Sequence, residues 1–520
     1  MNPIIRTSTL TLSLLFLYSN THTSTEALNL PIAQTQSIGI LNSSPGTQFS
    51  YKPALFTAAT VCGSYLCYKL YRYIQKNKPL KWNWDNLITR GFPTFPKEFP
   101  GGQKFLWGAA TSAHQTEGNC TNNTWSEWEK SVDQNGARRV QEESGIACDH
   151  WNRYKDDIQL LKKTGANSYR FSIEWSKVEP KEGEFDQAAL QHYADVCNEL
   201  HRNGIKPCIN LHHYTDPIWF AQKGGFEKQE NIQYFVRFAK TVIKFLHHTD
   251  ILWFTFNSPD GYAAKGWLTG VTPPAKKDMQ LCGHVYANML ESHVQIYRDI
   301  KASNYKTARI GILKNMFQLD PWNPLNPLDI LACSMGTKVT DTGFFSFFTT
   351  GVFELNIPLK ANVRHENKHA VGALDFIGIN YYCHGYMKNF NVVQDPKETP
   401  TDNPMYTLYP EGLYRAIKTV SAQLAKPLNV PMYITENGIA TTDDNKRDTF
   451  LRQYLHALAQ AIKDGYDVRG YIHWSLLDNY EWGSYEKRYG IYHVDRVTQQ
   501  RTLKPGNKFF LDVIAHNTTG

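Results

Sequence analysis

The sequence predicts a parallel (β/α)8 barrel. Three observations carry that expectation: eight short apolar runs, amphipathic stretches between them, and polar residues where the runs stop. The runs cover residues 105–111, 166–173, 206–213, 251–257, 308–315, 373–382, 431–438 and 469–478. They are rich in β-branched and aromatic residues, and continuous apolar strands suit a sheet covered on both faces. Between them lie stretches such as HWNRYKDDIQLLKKTG, whose apolar positions recur at helical spacing and whose Gly165 fits a helix end. A doubly wound sheet is the structural alternative, but eight strands are the number that closes a barrel.

In such barrels the chemistry lies at the C-terminal ends of the strands. Taken in chain order, Gln115 follows the first run, Arg170 sits in the second, and His212 and His213 close the third. Asn257 closes the fourth, Asn380 and Tyr382 the sixth, and Glu436 and Asn437 the seventh; Trp474 ends the eighth, with Glu481 and Trp482 just beyond. A lone histidine at a strand end is more often structural. The joint placement of these groups at one rim points to a site.

The remaining composition narrows the classes. The chain has 520 residues, 13% aromatic with 13 Trp, a content that suits either a large aromatic core or the stacking of sugar rings. Its net charge of +7 is spread without the clustered basic stripe that nucleic-acid binding requires. The nine cysteines show neither a C-x-x-C pair nor a metal-ligand spacing, so free buried thiols are expected, with no metal and no organic cofactor.

The first eighty residues differ. Residues 1–24 resemble a signal-type leader with a short apolar run, and 25–52 look like linker. Residues 53–68 carry no charge and precede the cluster Lys69, Arg72, Lys76, Lys78 and Lys81. About 20 apolar residues cross a bilayer, so 53–80 is a marginal transmembrane or membrane-associated helix. With the basic flank inside, the domain at 81–520 would lie on the cytoplasmic side as a single-pass protein.

At the rim, Glu436 in YITENG is a nucleophile candidate. Arg170 can hold its carboxylate ionised and Tyr382 can donate to it. Retaining glycoside cleavage uses such a carboxylate together with a second, proton-donating one about 5–5.5 Å away. From about residue 81 onward the chain resembles glycoside hydrolase family 1, the β-glucosidase, β-galactosidase and myrosinase group. The matching segments stand in family order: FLWGAATSAHQTEG, DHWNRYKDDIQLLKKTGANSYRFSIEWSKVEP, INLHHYTDPIWF, WFTFNSP, DFIGINYY, YPEGLY, YITENG and GYIHWSLLDNYEWG. The resemblance implies that Glu436 is the nucleophile and that Gln115, His213, Asn257 and Glu481 hydrogen-bond the sugar. It also implies that Trp474 and Trp482 supply a stacking platform. The wording LHHYT and FSIEWSKVEP is closer to archaeal-like and membrane-associated galactolipid-processing relatives, which implies a β-glycoside or glycolipid-like substrate.

One departure matters most. Where the family pattern reads T-x-N-E-P, this chain has Thr255-Phe256-Asn257-Ser258-Pro259. A serine hydroxyl is too weak an acid to protonate a leaving oxygen, and losing a positioned acid/base costs about 10²–10⁴-fold. Asp260 is the nearest carboxylate, and Pro259 and the loop geometry would have to aim it back into the barrel. Tyr214 stands where the family usually has Trp, and Tyr489 where Phe is common. The expectation is a retaining β-glycosidase or transglycosidase with weakened acid catalysis. The alternative is an inactive sugar-binding protein on the same barrel.

Overall fold

Eight parallel strands close into one barrel in strict chain order in the computed structural model. They are β1 (Leu106–Ala110), β2 (Ser168–Ser172), β3 (Lys206–Asn210), β4 (Leu252–Asn257), β5 (Arg309–Asn315), β6 (Phe376–Asn380), β7 (Met432–Asn437) and β8 (Val468–Trp474). The structure describes residue 68, residues 80–84 and 86, and residues 91–518 save 248 and 249. Seven strands fall inside their apolar runs, and the eighth starts one residue before its run. A major helix follows each strand: α1 (His150–Lys163), α2 (Gln187–Arg202), α3 (Ile232–Phe245), α4 (Met279–Lys301), α5 (Gly343–Thr350), α6 (Pro410–Val420), α7 (Asp444–Lys463) and α8 (Lys508–Thr518).

Local chemistry sets the helix ends. Asp186, Asp278 and Asp443 accept from backbone N–H groups in the first turns of α2, α4 and α7, satisfying donors that a helix start leaves free. Gly165 follows α1 at φ 79°, a left-handed position that glycine adopts without a Cβ penalty. Residues 323–369, which carry none of the motifs quoted above, form a helix at Pro327–Thr337, α5, and an antiparallel ribbon of Val352–Ile357 with Ala361–Glu366.

The barrel interior is filled, with Leu106, Phe254, Leu313, Phe376, Tyr433 and Ile472 in one buried cluster. Packing is tight enough to exclude a methyl group: a Cβ on Gly378 would lie 2.1 Å from Leu313 Cδ2. The ladder shifts register between Phe254 and Asn257 on β4, Ile379 and Asn380 on β6, and Ile434 and Asn437 on β7. Such irregularities re-aim side chains, and these fall where the rim residues begin.

The seven described cysteines are free and buried, as their spacing predicts. Among the described residues no helix is long and apolar enough to cross a membrane. The leader, the linker and nearly all of the 53–80 segment lie outside the described residues.

Candidate active site

Glu436, the second-last residue of β7, is 5% exposed and sits between two donors. The Arg170 guanidinium from β2 donates to one carboxylate oxygen. The Tyr382 hydroxyl, just past β6, donates to the other at 2.6 Å. Burial pushes the Glu436 carboxyl above its ordinary range, while Arg170, Tyr382 and Lys265 pull it back. A buried carboxylate held by a cation and a phenol at a strand end has the charge and exposure of a nucleophile.

Arg170 also fixes the neighbouring amides. Its second terminal nitrogen donates to Asn257 Oδ1 at 3.2 Å. Asn380 Nδ2 donates to the same oxygen at 2.9 Å and to Ser258 Oγ at 3.1 Å. Thr435 in turn donates to Asn380 Oδ1 at 2.8 Å, which sets the amide's orientation. The Asn210 and Asn257 amides flank the two ring nitrogens of His213, at 3.3 and 3.2 Å. Burial holds His213 far below the usual histidine range, and the Arg170, His212 and Lys265 cations add to that. The ring is therefore neutral at pH 7.

The opposite wall carries the other predicted groups. Gln115 donates to Tyr480 O at 2.8 Å and to Glu481 Oε2 at 3.2 Å, and accepts from Ser112 at 2.7 Å. Burial raises the Glu481 carboxyl to about 7, with Lys487 and Lys265 opposing and Glu436 adding. Trp474 lies parallel to His213 at 5.9 Å, Trp482 lies parallel to it at 6.1 Å, and Trp482 also packs on Trp125 at 4.6 Å. The structure thus gathers Arg170, Asn257, Ser258, Tyr382 and Glu436 with Gln115, His213, Trp474, Glu481 and Trp482 at one end of the barrel.

Ser258 follows β4 in a left-handed conformation at φ 48° and caps the short helix Pro259–Ala263. That geometry costs a non-glycine residue about 1–3 kcal/mol. It is held because Ser258 N donates to Leu313 O at 3.0 Å. Asp260 turns the other way. It is buried and paired at 2.9 Å with Lys314, which pairs at the same distance with Asp341. Burial pulls the Lys314 pKa down, and the two carboxylates more than offset it. Asp260 is thus committed to a structural pair.

Two further groups escaped the sequence reading. Tyr406 stacks on Tyr382 with ring centres 5.8 Å apart, from a loop with no recognisable pattern. Lys265 lies beyond Ser258, its ammonium 5.4 Å over the ring of Tyr214. A lone charge in the apolar stretch GYAAKGWL was the signal available for it.

Comparison with known proteins identifies the family and the fold. The family model described as "Glycosyl hydrolase family 1" matches residues 95–519. A 1,4-beta-D-glucan glucohydrolase of Thermotoga neapolitana is 30% identical over 453 residues, 81% of this chain and 99% of that protein. Beta-glucosidase A of Acetivibrio thermocellus is 30% identical over 457 residues, covering 82% and 99%. Among solved structures, a beta-glycosidase from Pyrococcus horikoshii aligns with TM-score 0.71 at 33% identity, covering 81% of this chain and 95% of that one. A beta-glucosidase from Thermotoga maritima in complex with glucoimidazole aligns with TM-score 0.73 at 28% identity, covering 81% and 100%. With nearly the whole barrel matched, the chain belongs to glycosyl hydrolase family 1.

Proposed function

We propose that the protein is a retaining β-glycosidase, or transglycosidase, that works through a glycosyl-Glu436 intermediate with weakened general acid catalysis. The observation that carries this reading is the carboxylate of Glu436, buried at the rim and held between Arg170 and Tyr382. A protein that only bound sugar would have no use for that arrangement. Relatives named as β-glucosidases support a β-glycoside as substrate.

Sugar recognition falls to Gln115, His213, Asn257 and Glu481, with Trp474 and Trp482 as the apolar surface. Attack by Glu436 expels the leaving group, and Ser258 supplies a hydrogen bond but no transferable proton. Leaving groups stable without protonation then depart readily, whereas ordinary alkyl glycosides react slowly. Water or another acceptor resolves the glycosyl ester.

The test is incubation with a 2-fluoro β-glycoside bearing a good leaving group, followed by intact and peptide mass spectrometry. A glycosyl adduct on Glu436 is expected, together with a burst of aglycone from the activated substrate. Sugar binding without either would establish the non-catalytic reading instead.

A further inference from the structure

Lys265 lies in a wide helical turn, Ala264–Thr269, that continues the short helix begun at Ser258. The residue keeps exposed surface, yet the walls around its ammonium desolvate it and hold it below the usual lysine range. The neighbouring charges are the carboxylates of Glu481, Glu436 and Asp260, which oppose the shift, and the Lys487 ammonium, which adds to it. No hydrogen bond or ion pair ties Lys265 Nζ to another described residue.

Its position relative to Ser258 follows from Tyr214. The ammonium stands 5.4 Å over the Tyr214 ring. The hydroxyl end of that ring reaches Ser258: a Cβ on Gly261 would lie 2.7 Å from Tyr214 Oη and 3.6 Å from Ser258 Cβ. Trp482 packs edge-on against the same ring at 5.5 Å. Lys265, Tyr214 and Ser258 therefore form one wall, which faces the Glu436 pocket. A carboxyl group at position 258 would become anionic after giving up its proton and would repel an anion there. This wall offers instead a neutral hydroxyl and a positive charge.

We propose that Lys265 makes the wall beside Ser258 an oxyanion-binding subsite, and that the protein acts on β-glycosides whose leaving group departs as a phosphate-type anion. The inference rests on the retaining reading above. Glu436 attacks the anomeric carbon and forms the glycosyl ester. The bond from that carbon to the phosphate oxygen breaks, and both of its electrons leave with the phosphate. No proton is needed, because the departing charge is met by the Lys265 ammonium. Water then attacks the ester and restores the Glu436 carboxylate, its proton passing to the phosphate or to solvent. In the reverse direction, inorganic phosphate attacks the glycosyl ester and releases a β-glycosyl phosphate.

The experiment uses the full chain and the dinitrophenyl β-glycoside that gives the burst, with inorganic phosphate titrated at constant ionic strength against chloride. Phosphate is expected to accelerate turnover saturably and to yield β-glycosyl phosphate, observed by phosphorus NMR. A charge-assisted contact is worth roughly 1.5–3 kcal/mol, so Lys265→Met should raise the half-saturating phosphate at least about tenfold. Lys265→Arg keeps the charge and should stay within about threefold; melting temperatures check that both variants fold. An intact burst with no phosphate effect, or with equal half-saturation in Lys265→Met, overturns the subsite alone. Failure to label Glu436 with the 2-fluoro glycoside overturns the retaining reading, and the subsite with it.

Discussion

Asn380 donates to the hydroxyl of Ser258 at 3.1 Å. The serine oxygen thereby accepts from Asn380, and the Tyr214 hydroxyl lies beside it on the other side. The serine proton is far too strongly held to transfer near neutral pH. Ser258→Glu should therefore raise kcat/KM for alkyl and other poorly departing glycosides by about 10²–10⁴-fold. The dependence of rate on leaving-group acidity should flatten in the variant. Rates measured across an aryl glycoside series in both proteins decide this.

Arg170 and Glu436 form a buried pair, and removing one partner strands the other. Arg170→Met should destabilise the fold by about 3–5 kcal/mol in denaturant titration. Without the cation, burial raises the Glu436 carboxyl further. The acid limb of the kcat/KM profile should move to higher pH in Arg170→Met. Glu436→Gln should remove both the burst and the label while leaving a cooperative melt.

Gly261 has no room for a side chain, since a Cβ there meets Tyr214 Oη at 2.7 Å. Gly261→Ala should push the Tyr214 hydroxyl away from Ser258. Displacements of this size reduce turnover by up to about 10²-fold, and the effect should fall on leaving-group discrimination. A comparison of two aryl glycosides with the same sugar separates that from a general loss.

Glu481 titrates near 7 because burial disfavours its charge. A sugar hydroxyl that donates to the carboxylate favours the ionised form, so sugar affinity should tighten as pH rises through about 7. Stability runs the other way. The folded protein keeps a proton that the unfolded chain releases from the ordinary carboxylate range upward, so this group's contribution falls between there and about 7. Calorimetric titration of a sugar-like inhibitor from pH 5.5 to 8.5 or so should show both trends flatten in Glu481→Gln.

The 53–80 segment is proposed as a membrane anchor, from its uncharged run and basic flank. The full chain should sediment with membranes after alkaline carbonate washing, and a chain starting at Lys81 should not. Recovery of the full chain in the supernatant would remove the anchor and leave the barrel untouched.

Much of this was legible in the residues. The barrel strands are buried on both faces, so they stand out as apolar runs, and seven of the eight carry or adjoin a polar or aromatic side chain at the rim. Glu436, Asn257 and Asn380 were visible for that reason. The partners of Asp260 were not, because Lys314 lies within a run that reads as apolar and Asp341 lies in a stretch with no motif to mark it. Burial of a charge is a property of three-dimensional neighbours, which spacing does not encode. Lys265 escaped for the same reason: its importance comes from Tyr214, some fifty residues earlier in the chain.

Lys314 bolts two different connections to one strand. It joins the turn after β4 to the segment before α5, and its ammonium is entirely enclosed. Swinging the Ser258 turn outward would expose that ammonium's partner and strand a charge in the interior. The turn consequently belongs to the rigid frame of the barrel and does not serve as a moving lid. Incoming molecules must be chosen by fit to a wall that stays still, and new specificities would have to arise by exchanging side chains on that wall.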